Sequence, residues 1–278
     1  MVKNEFSVSM CVYGGDKPEW FKTAVDSVIN QTVKPTEIVL VVDGPIPEEL
    51  DDIVKEYEKM EMFKVIRFEE NKGHGEARRE SLSNCTNELI AIMDADDICA
   101  PNRFELQLKA FDENPEIDIV GGIITEFIGE PTNITGKREV FFDDEEIKED
   151  LKKRCPMNQM TVMFKKSSVE EVGGYIDWYC NEDYYLWIRM TLSGKKFKNL
   201  PNVLVNVRTS EDMYQRRGGL KYFKSERKLQ KFMKKNKIIG FGRFFINVIK
   251  RFIVQVLLPN SIRGWVFKKF ARKRATNE

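Results

Sequence analysis

The chain has 278 residues, 42% of them hydrophobic, with 45 Lys+Arg, 44 Asp+Glu and a single His. That is enough to bury one large domain, or a domain with an appendage, and no apolar run approaches the roughly 18–20 residues of a spanning helix. Cys11, Cys85, Cys99, Cys155 and Cys180 are scattered without CxxC pairs. Together with a polar lead that lacks a secretory signal, this argues against disulfides or a zinc site and for a cytosolic chain. With His74 the only histidine, acid–base chemistry falls to carboxylates. The formal net charge of +1 hides a division: residues 216–278 hold 19 Lys+Arg against 2 Asp+Glu, and the remainder holds 26 against 42. An acidic body, 1–215, is thus followed by a basic tail, 216–278, suited to an anionic partner.

In chain order, "FSVSMCV" (6–12) predicts a strand, and Asp16 followed by Pro18 opens a helix reaching Gln31. "EIVLVV" (37–42) is a continuous apolar strand of the kind buried on both faces of a parallel sheet. A helix over 47–60, a strand over 63–68, a helix over 75–84 and the strand "LIAIM" (89–93) follow. A helix over 101–114 and a strand over 117–125 complete the series. Repeated βα units of this spacing predict an open, mostly parallel α/β sheet flanked by helices. In such sheets ligands bind beyond the carboxyl ends of the strands. The segments at 13–15, 43–44, 71–75 and 94–97 all fall on that edge. Beyond 125 the pattern weakens: 129–150 reads as a loop and an acidic segment, "TVMF" (161–164) as a strand, 167–172 as a short helix and 182–193 as a longer one.

"IAIMDADDICAP" (90–101) runs a buried strand into Asp94, Asp96 and Asp97. Carboxylates are seldom buried unless paired or bound to metal. A D-x-D pair at a strand end can hold a divalent cation whose open positions take water and phosphate oxygens. The plainer alternative is a solvated acidic loop capping the next helix, and a haloacid-dehalogenase-like phosphotransferase also places acids at a strand end.

The run "SVSMCVYGG … AVDSVINQT … EIVLVVDG … NKGHGEARR … IAIMDADDICAPNRFELQ … GGY … NEDYYLWIRM" resembles family 2 glycosyltransferases of the GT-A fold, over roughly residues 6–208. The resemblance implies an inverting transferase that uses a nucleotide-diphosphate sugar, usually a UDP-sugar, with Mn2+ or Mg2+. By position it implies that Val12, Tyr13 and Asp43 line the base pocket and that Gly73 and Arg78 lie near the nucleotide. Asp94 would contact ribose or sugar, and Asp96 would hold the metal, with Asp94 beside it. The chain departs from the family pattern at Val42, where an acid commonly precedes Asp43. Glu182–Asp183 matches the family's Glu-Asp motif, with Asp183 the expected base, and the helix N-terminus there favours its ionised form.

Two further features stand outside that match. Arg216 and Arg217, before two glycines, suit a diphosphate clamp or the first cations of a membrane-facing tail. From Phe241 the apolar residues recur at Phe244, Phe245, Val248, Ile249, Phe252, Ile253, Val256 and Leu257, at helical spacing with Lys and Arg between. This C-terminal basic amphipathic helix reads as a membrane-interface element over 238–278, with a helix packed on the body or on a partner as the alternative. No nucleic-acid recognition module is present. The expected protein is a cytoplasmic, peripheral inner-face enzyme that adds one sugar to a lipid-linked glycan for surface polysaccharide. The Q-x-x-R-W pattern of processive synthases is missing. A membrane-docked nucleotide-sugar-binding module without turnover is the non-enzyme alternative.

Overall fold

The computed structural model describes residues 5–209 and 218–259. Its centre is a nine-stranded sheet with helices on both faces. Four parallel strands form one half: β1 (Phe6–Tyr13), β2 (Glu37–Asp43), β3 (Phe63–Arg67) and β4 (Leu89–Met93), in the order β3-β2-β1-β4. Almost every residue of β1, β2 and β4 is buried, as continuous apolar runs require of strands covered on both sides. The intervening helices are α1 (Pro18–Ile29), α2 (Glu48–Glu58) and α3 (His74–Asn84). Because the chain moves outward from β1 to β3 and then returns to β4 on the other side of β1, the β1–β4 boundary is the topological switch point. Crevices form at such points.

From there the sheet becomes mixed. After β5 (Ile98–Cys99) and α4 (Arg103–Glu113) come β6 (Ile119–Phe127), β7 (Ile134–Arg138), α5 (Asp144–Leu151), β8 (Met163–Lys165), α6 (Lys166–Glu171), α7 (Glu182–Leu192) and β9 (Phe197–Arg208). β8 joins β4 and β6 antiparallel, whereas β9 runs parallel to β6 and antiparallel to β5. The segment expected as loop plus acids thus contains a strand and a helix, and the three acids Asp144, Glu145 and Glu146 are the first turn of α5. They complement its dipole. β9 escaped the sequence pattern because Pro201 interrupts it; the register against β6 shifts beside it, between Gly122 and Ile124.

A buried polar network and a tightly packed glycine shape the strand ends. Arg103 of α4 donates to the Ile92 carbonyl at 2.8 Å and to Gln107 at 3.0 Å, and Gln107 donates to the Val120 and Thr161 carbonyls. This anchors the end of β4 just before its acids. At the end of β2, Gly44 has φ +84°, and a Cβ there would stand 2.5 Å from the Asn71 amide nitrogen.

The C-terminal segment forms α8 (Gly219–Lys235) and α9 (Phe241–Phe252), continued by a π turn over Ile253–Leu257. Leu229, Met233 and Ile239 lie in the same apolar cluster as Tyr184, Trp187 and Ile188 of α7, so this segment packs on the transverse side of the body. α9 is inverted relative to an ordinary surface helix. Asn247 and Gln255 are buried, while Phe241, Phe245, Ile246, Ile249, Ile253 and Leu257 are exposed. No helix among the described residues is long and apolar enough to cross a membrane. The aromatic and basic stretch at 264–274 lies outside the described residues.

Gly44→Ala should lower stability by about 1–3 kcal/mol, because it forces a side chain into the left-handed region against backbone. Thermal and urea melts check this; an unchanged midpoint would contradict it.

Candidate active site

The strand ends converge as the topology dictates. Tyr13 stands opposite Asp43 in the β1–β2 register, and Met10 opposite Met93 in β1–β4. A cavity of about 330 Å³ opens between these ends, lined by Cys11, Val12, Tyr13, Asp43, Asn71, Gly73, His74 and Ala77. Val12, Tyr13, Asp43 and Gly73 are therefore brought together in the wall of one cavity. Asp43 is buried, and its two oxygens accept the Lys72 and Gly73 amides at 2.7 and 3.0 Å. It shapes the loop that walls the cavity.

Arg78 is buried beneath this cavity rather than exposed in it. One terminal nitrogen donates to the Ser9 carbonyl at 2.9 Å, and the other to Asp94 Oδ1 at 2.8 Å and to His74 Nε2 at 3.2 Å. Since a guanidinium only donates, Nε2 of His74 accepts, which leaves the proton on Nδ1 to be donated to Glu182 Oε1 at 3.2 Å. The D-x-D and Glu-Asp motifs are thus joined by one chain of contacts, Asp94–Arg78–His74–Glu182.

On the D-x-D side, burial pushes the Asp96 carboxyl up to about 6, helped by repulsion from Asp94 and Asp16. Asp16 rises to about 6 through burial, outweighing its hydrogen bond from the Tyr13 amide. Asp97 rises well above the usual range through burial and the charges of Asp96 and Asp94. Carboxylates crowded until they resist ionisation are a donor set that a divalent cation would relieve. Among the described residues no group of three or more potential ligands forms a ready cage. A cation such as Mg2+ uses one or two carboxylates and completes its shell with water and phosphate oxygens. Asp97 serves the loop itself by accepting the Arg208 amide at 2.9 Å. Arg208 also donates to the Asp96 carbonyl at 3.2 Å and lies 4.7 Å from the rings of both Trp20 and Phe127.

On the other side, Glu182 and Asp183 open α7, and their environments separate them. Burial would raise Glu182, but the His74 hydrogen bond, its own backbone amide and the nearby charges of His74 and Arg78 together outweigh it and hold the carboxyl below its ordinary value. Burial and the charge of Glu182 push Asp183 up to about 6. The helix N-terminus, expected to favour ionisation, is outweighed by desolvation, and the Tyr184 amide and Cys155 thiol, at 2.6 and 3.5 Å, offset only part of it. Arg138 adds a distant stabilising charge and binds the Cys155 carbonyl at 2.7 Å.

Sequence reasoning missed several of these groups. Asp16 was legible in principle, because it follows the end of β1 in "YGGD". Arg208, Arg138 and Cys155 carried no local signal, since they reach the site through strands or turns that the pattern did not reveal. Arg216 and Arg217 lie outside the described residues.

The geometry has a counterpart among known proteins. The sequence profile "Glycosyl transferase family 2" matches residues 7–173. The chain belongs to this family and is a glycosyltransferase. It is 35% identical over 269 residues to the UDP-Gal:alpha-D-GlcNAc-diphosphoundecaprenol beta-1,3-galactosyltransferase of Escherichia coli, covering 97% of each chain. It is 33% identical over 267 residues to the amylovoran biosynthesis glycosyltransferase AmsE of Erwinia amylovora, covering 95% of this chain and 98% of that one. The mannosyltransferase PcManGT of Pyrobaculum calidifontis, solved with GDP-Man and Mn2+, shares the fold with a TM-score of 0.61 at 15% identity, over 96% of this chain and 75% of its own.

If Asp183 takes the proton, only its ionised form works, so kcat should hold above pH about 6 and fall about tenfold per unit below it. A limb below about 4.3, the ordinary glutamate value, would instead assign the role to Glu182. A pH–rate profile distinguishes them.

Proposed function

We propose that this glycosyltransferase moves one sugar, with inversion, from a UDP-sugar to a lipid-linked glycan acceptor in surface polysaccharide biosynthesis. It does so at the cytoplasmic face of the cell membrane. The observation that carries the reading is the opposition of crowded acids at the β4 end to a raised Asp183 at the start of α7, cross-linked through Arg78 and His74. The names of the two relatives support the donor, the lipid-linked acceptor and the polysaccharide setting. The family match leaves no place for the phosphotransferase alternative.

In this reading Val12 and Tyr13 flank the base, and Asp43 fixes the 71–73 loop around it. Asp96 and Asp94 would hold Mg2+ or Mn2+, which when bound neutralises the charge that develops on the departing diphosphate. Asp183 accepts the proton of the acceptor hydroxyl as that oxygen bonds to the anomeric carbon. The bond from that carbon to the diphosphate breaks, and the nucleoside diphosphate leaves. A carboxylate raised to about 6 is a stronger base than a free aspartate and still ionised at neutral pH.

α9 supplies the docking surface. Its outward face carries Phe241, Phe245, Ile246 and Ile249, continued by Leu257 in the π turn. Exposed Arg243 and Lys250 flank it, and the positive excess of 216–278 matches an anionic bilayer.

Asp96→Ala should abolish Mn2+-dependent affinity for UDP-sugars while leaving the fold intact. Asp183→Asn should lower transfer about 10²–10⁴-fold with donor affinity nearly unchanged. Calorimetry with each UDP-sugar and a transfer assay read both. Metal-dependent affinity that survives Asp96→Ala would sink the metal assignment. A wild-type protein that binds donor but neither transfers nor hydrolyses it would instead be a binding module.

Phe245→Ser with Ile249→Ser, both on the outward face, should reduce flotation on phosphatidylglycerol vesicles about tenfold or more. Turnover of a water-soluble acceptor should be unaffected. Wild-type binding should weaken with salt; equal flotation of variant and wild type would refute the docking face.

A further inference from the structure

The two C-terminal helices do more than present an apolar face, because their inward side chains converge on the residues around Asp183. Ser225 of α8 donates from Oγ to the Tyr179 carbonyl at 2.7 Å and accepts from the Asn181 side chain at 3.2 Å. The Trp178 indole donates to the Ser225 carbonyl at 3.4 Å. These are the residues that lead into Glu182 and Asp183, with Asn181 at the N-cap of α7. Between them Cys180 has φ +56°, in the left-handed region that costs a non-glycine residue free energy. Such a turn persists only if its surroundings hold it.

The second anchor approaches from the opposite side. Glu226, next to Ser225, pairs with Arg251 of α9, and both side chains are almost fully buried. Arg251 also donates to the Lys153 carbonyl at 3.0 Å. Asn247 donates to the Lys152 carbonyl at 2.9 Å and to Gln230 at 2.8 Å. Lys152 and Lys153 lead directly to Cys155, whose thiol donates to Asp183 Oδ2. The hydroxyl of Tyr184, the residue after Asp183, donates to the Leu151 carbonyl in the same stretch. The turn before Asp183 and the segment beside it are therefore both tied to one buried unit.

We propose that the α8–α9 pair is a positioning device for Asp183, with Ser225 and the Glu226–Arg251 pair as its positioning residues. It rests on the reading of Asp183 as the base. None of these side chains lines the donor cavity, so their effect is on the step that needs Asp183 in place and not on donor binding. The buried polar seat also explains why α9 turns its apolar face outward: the surface that docks and the groups that position the base are opposite sides of one helix.

Ser225→Ala, Arg251→Met and Arg251→Lys, measured with a water-soluble acceptor to remove any effect of membrane encounter, test this. The expected result is a fall in kcat of about tenfold or more for Arg251→Met, since small misplacements of a reacting group are costly. Ser225→Ala should show a smaller fall, Arg251→Lys should recover part of the loss, and donor KM should stay within about twofold. The acidic limb of kcat should also move below pH 6, as water reaching Asp183 lowers the burial that holds it up. The groups facing Asp183, namely Glu182, Cys155 and Arg138, are unchanged in every variant. Wild-type kcat and an unmoved limb in both Ser225→Ala and Arg251→Met would overturn the proposal. So would parallel losses of kcat, donor affinity and melting temperature. Asp183→Asn is the control: normal transfer by that variant removes the base reading, and the proposal with it, whereas a normal Asp183→Asn deficit beside silent Ser225 and Arg251 variants removes the positioning device alone.

Discussion

The burial of Arg78 is the constraint on which the site depends. A guanidinium removed from water carries a penalty of several kcal/mol unless its donors are met. The β1–β4 crevice meets the two terminal nitrogens with the Ser9 carbonyl, Asp94 and His74, while Nε has no partner among the described residues. Each partner belongs to a different functional part: the strand under the cavity, the D-x-D loop, and the helix whose first residue reaches Glu182. None of these can move without leaving a buried charge uncompensated. The same requirement fixes the histidine tautomer, because a group with only donors forces Nε2 to accept. The only histidine in the chain thus serves as an oriented link between the two acidic motifs.

This link runs between regions of opposite electrostatic logic. Around the β1 and β4 ends Asp16, Asp96 and Asp97 are each raised by burial and by neighbouring carboxylates, so the site stores repulsion that a cation would remove. At the start of α7 the two adjacent acids are driven apart, Glu182 down by its hydrogen bond to His74 and Asp183 up by burial and by Glu182 itself. Holding Glu182 ionised adds to the effect of burial on its neighbour. Environments that split a pair of carboxylates in this way assign roles to them.

Much of this was legible in the sequence because the parallel half of the sheet is written in long apolar runs. β1, β2 and β4 are buried on both faces, so their boundaries and the acids just past them stand out from a single chain. The mixed half was legible only in part: apolar runs marked β6 and β8, whereas β5 is two residues long and β9 contains Pro201, so no run or alternation marks those two. Arg208 arrives at the D-x-D on that last strand and could not be foreseen. Asp183 was found by motif, but the direction of its shift depends on how closely Cys155 and the helices cover it, which no local pattern encodes.

The C-terminal helix marks a sharper limit. Helical periodicity locates an apolar face and a polar face but is silent on which one meets the protein. Ordinary hydrophobic burial would turn the phenylalanines of α9 inward. Here the body offers Glu226, Gln230 and the free carbonyls at the end of α5, groups that would stay unsatisfied beneath an apolar face. Asn247 and Arg251, spaced about one turn apart, are the side chains that match them. Buried polar groups left unpaired are penalised more heavily than apolar groups left in contact with water are disfavoured. The polar stripe therefore seats the helix, and the apolar stripe faces outward, where the proposed docking on a bilayer would cover it.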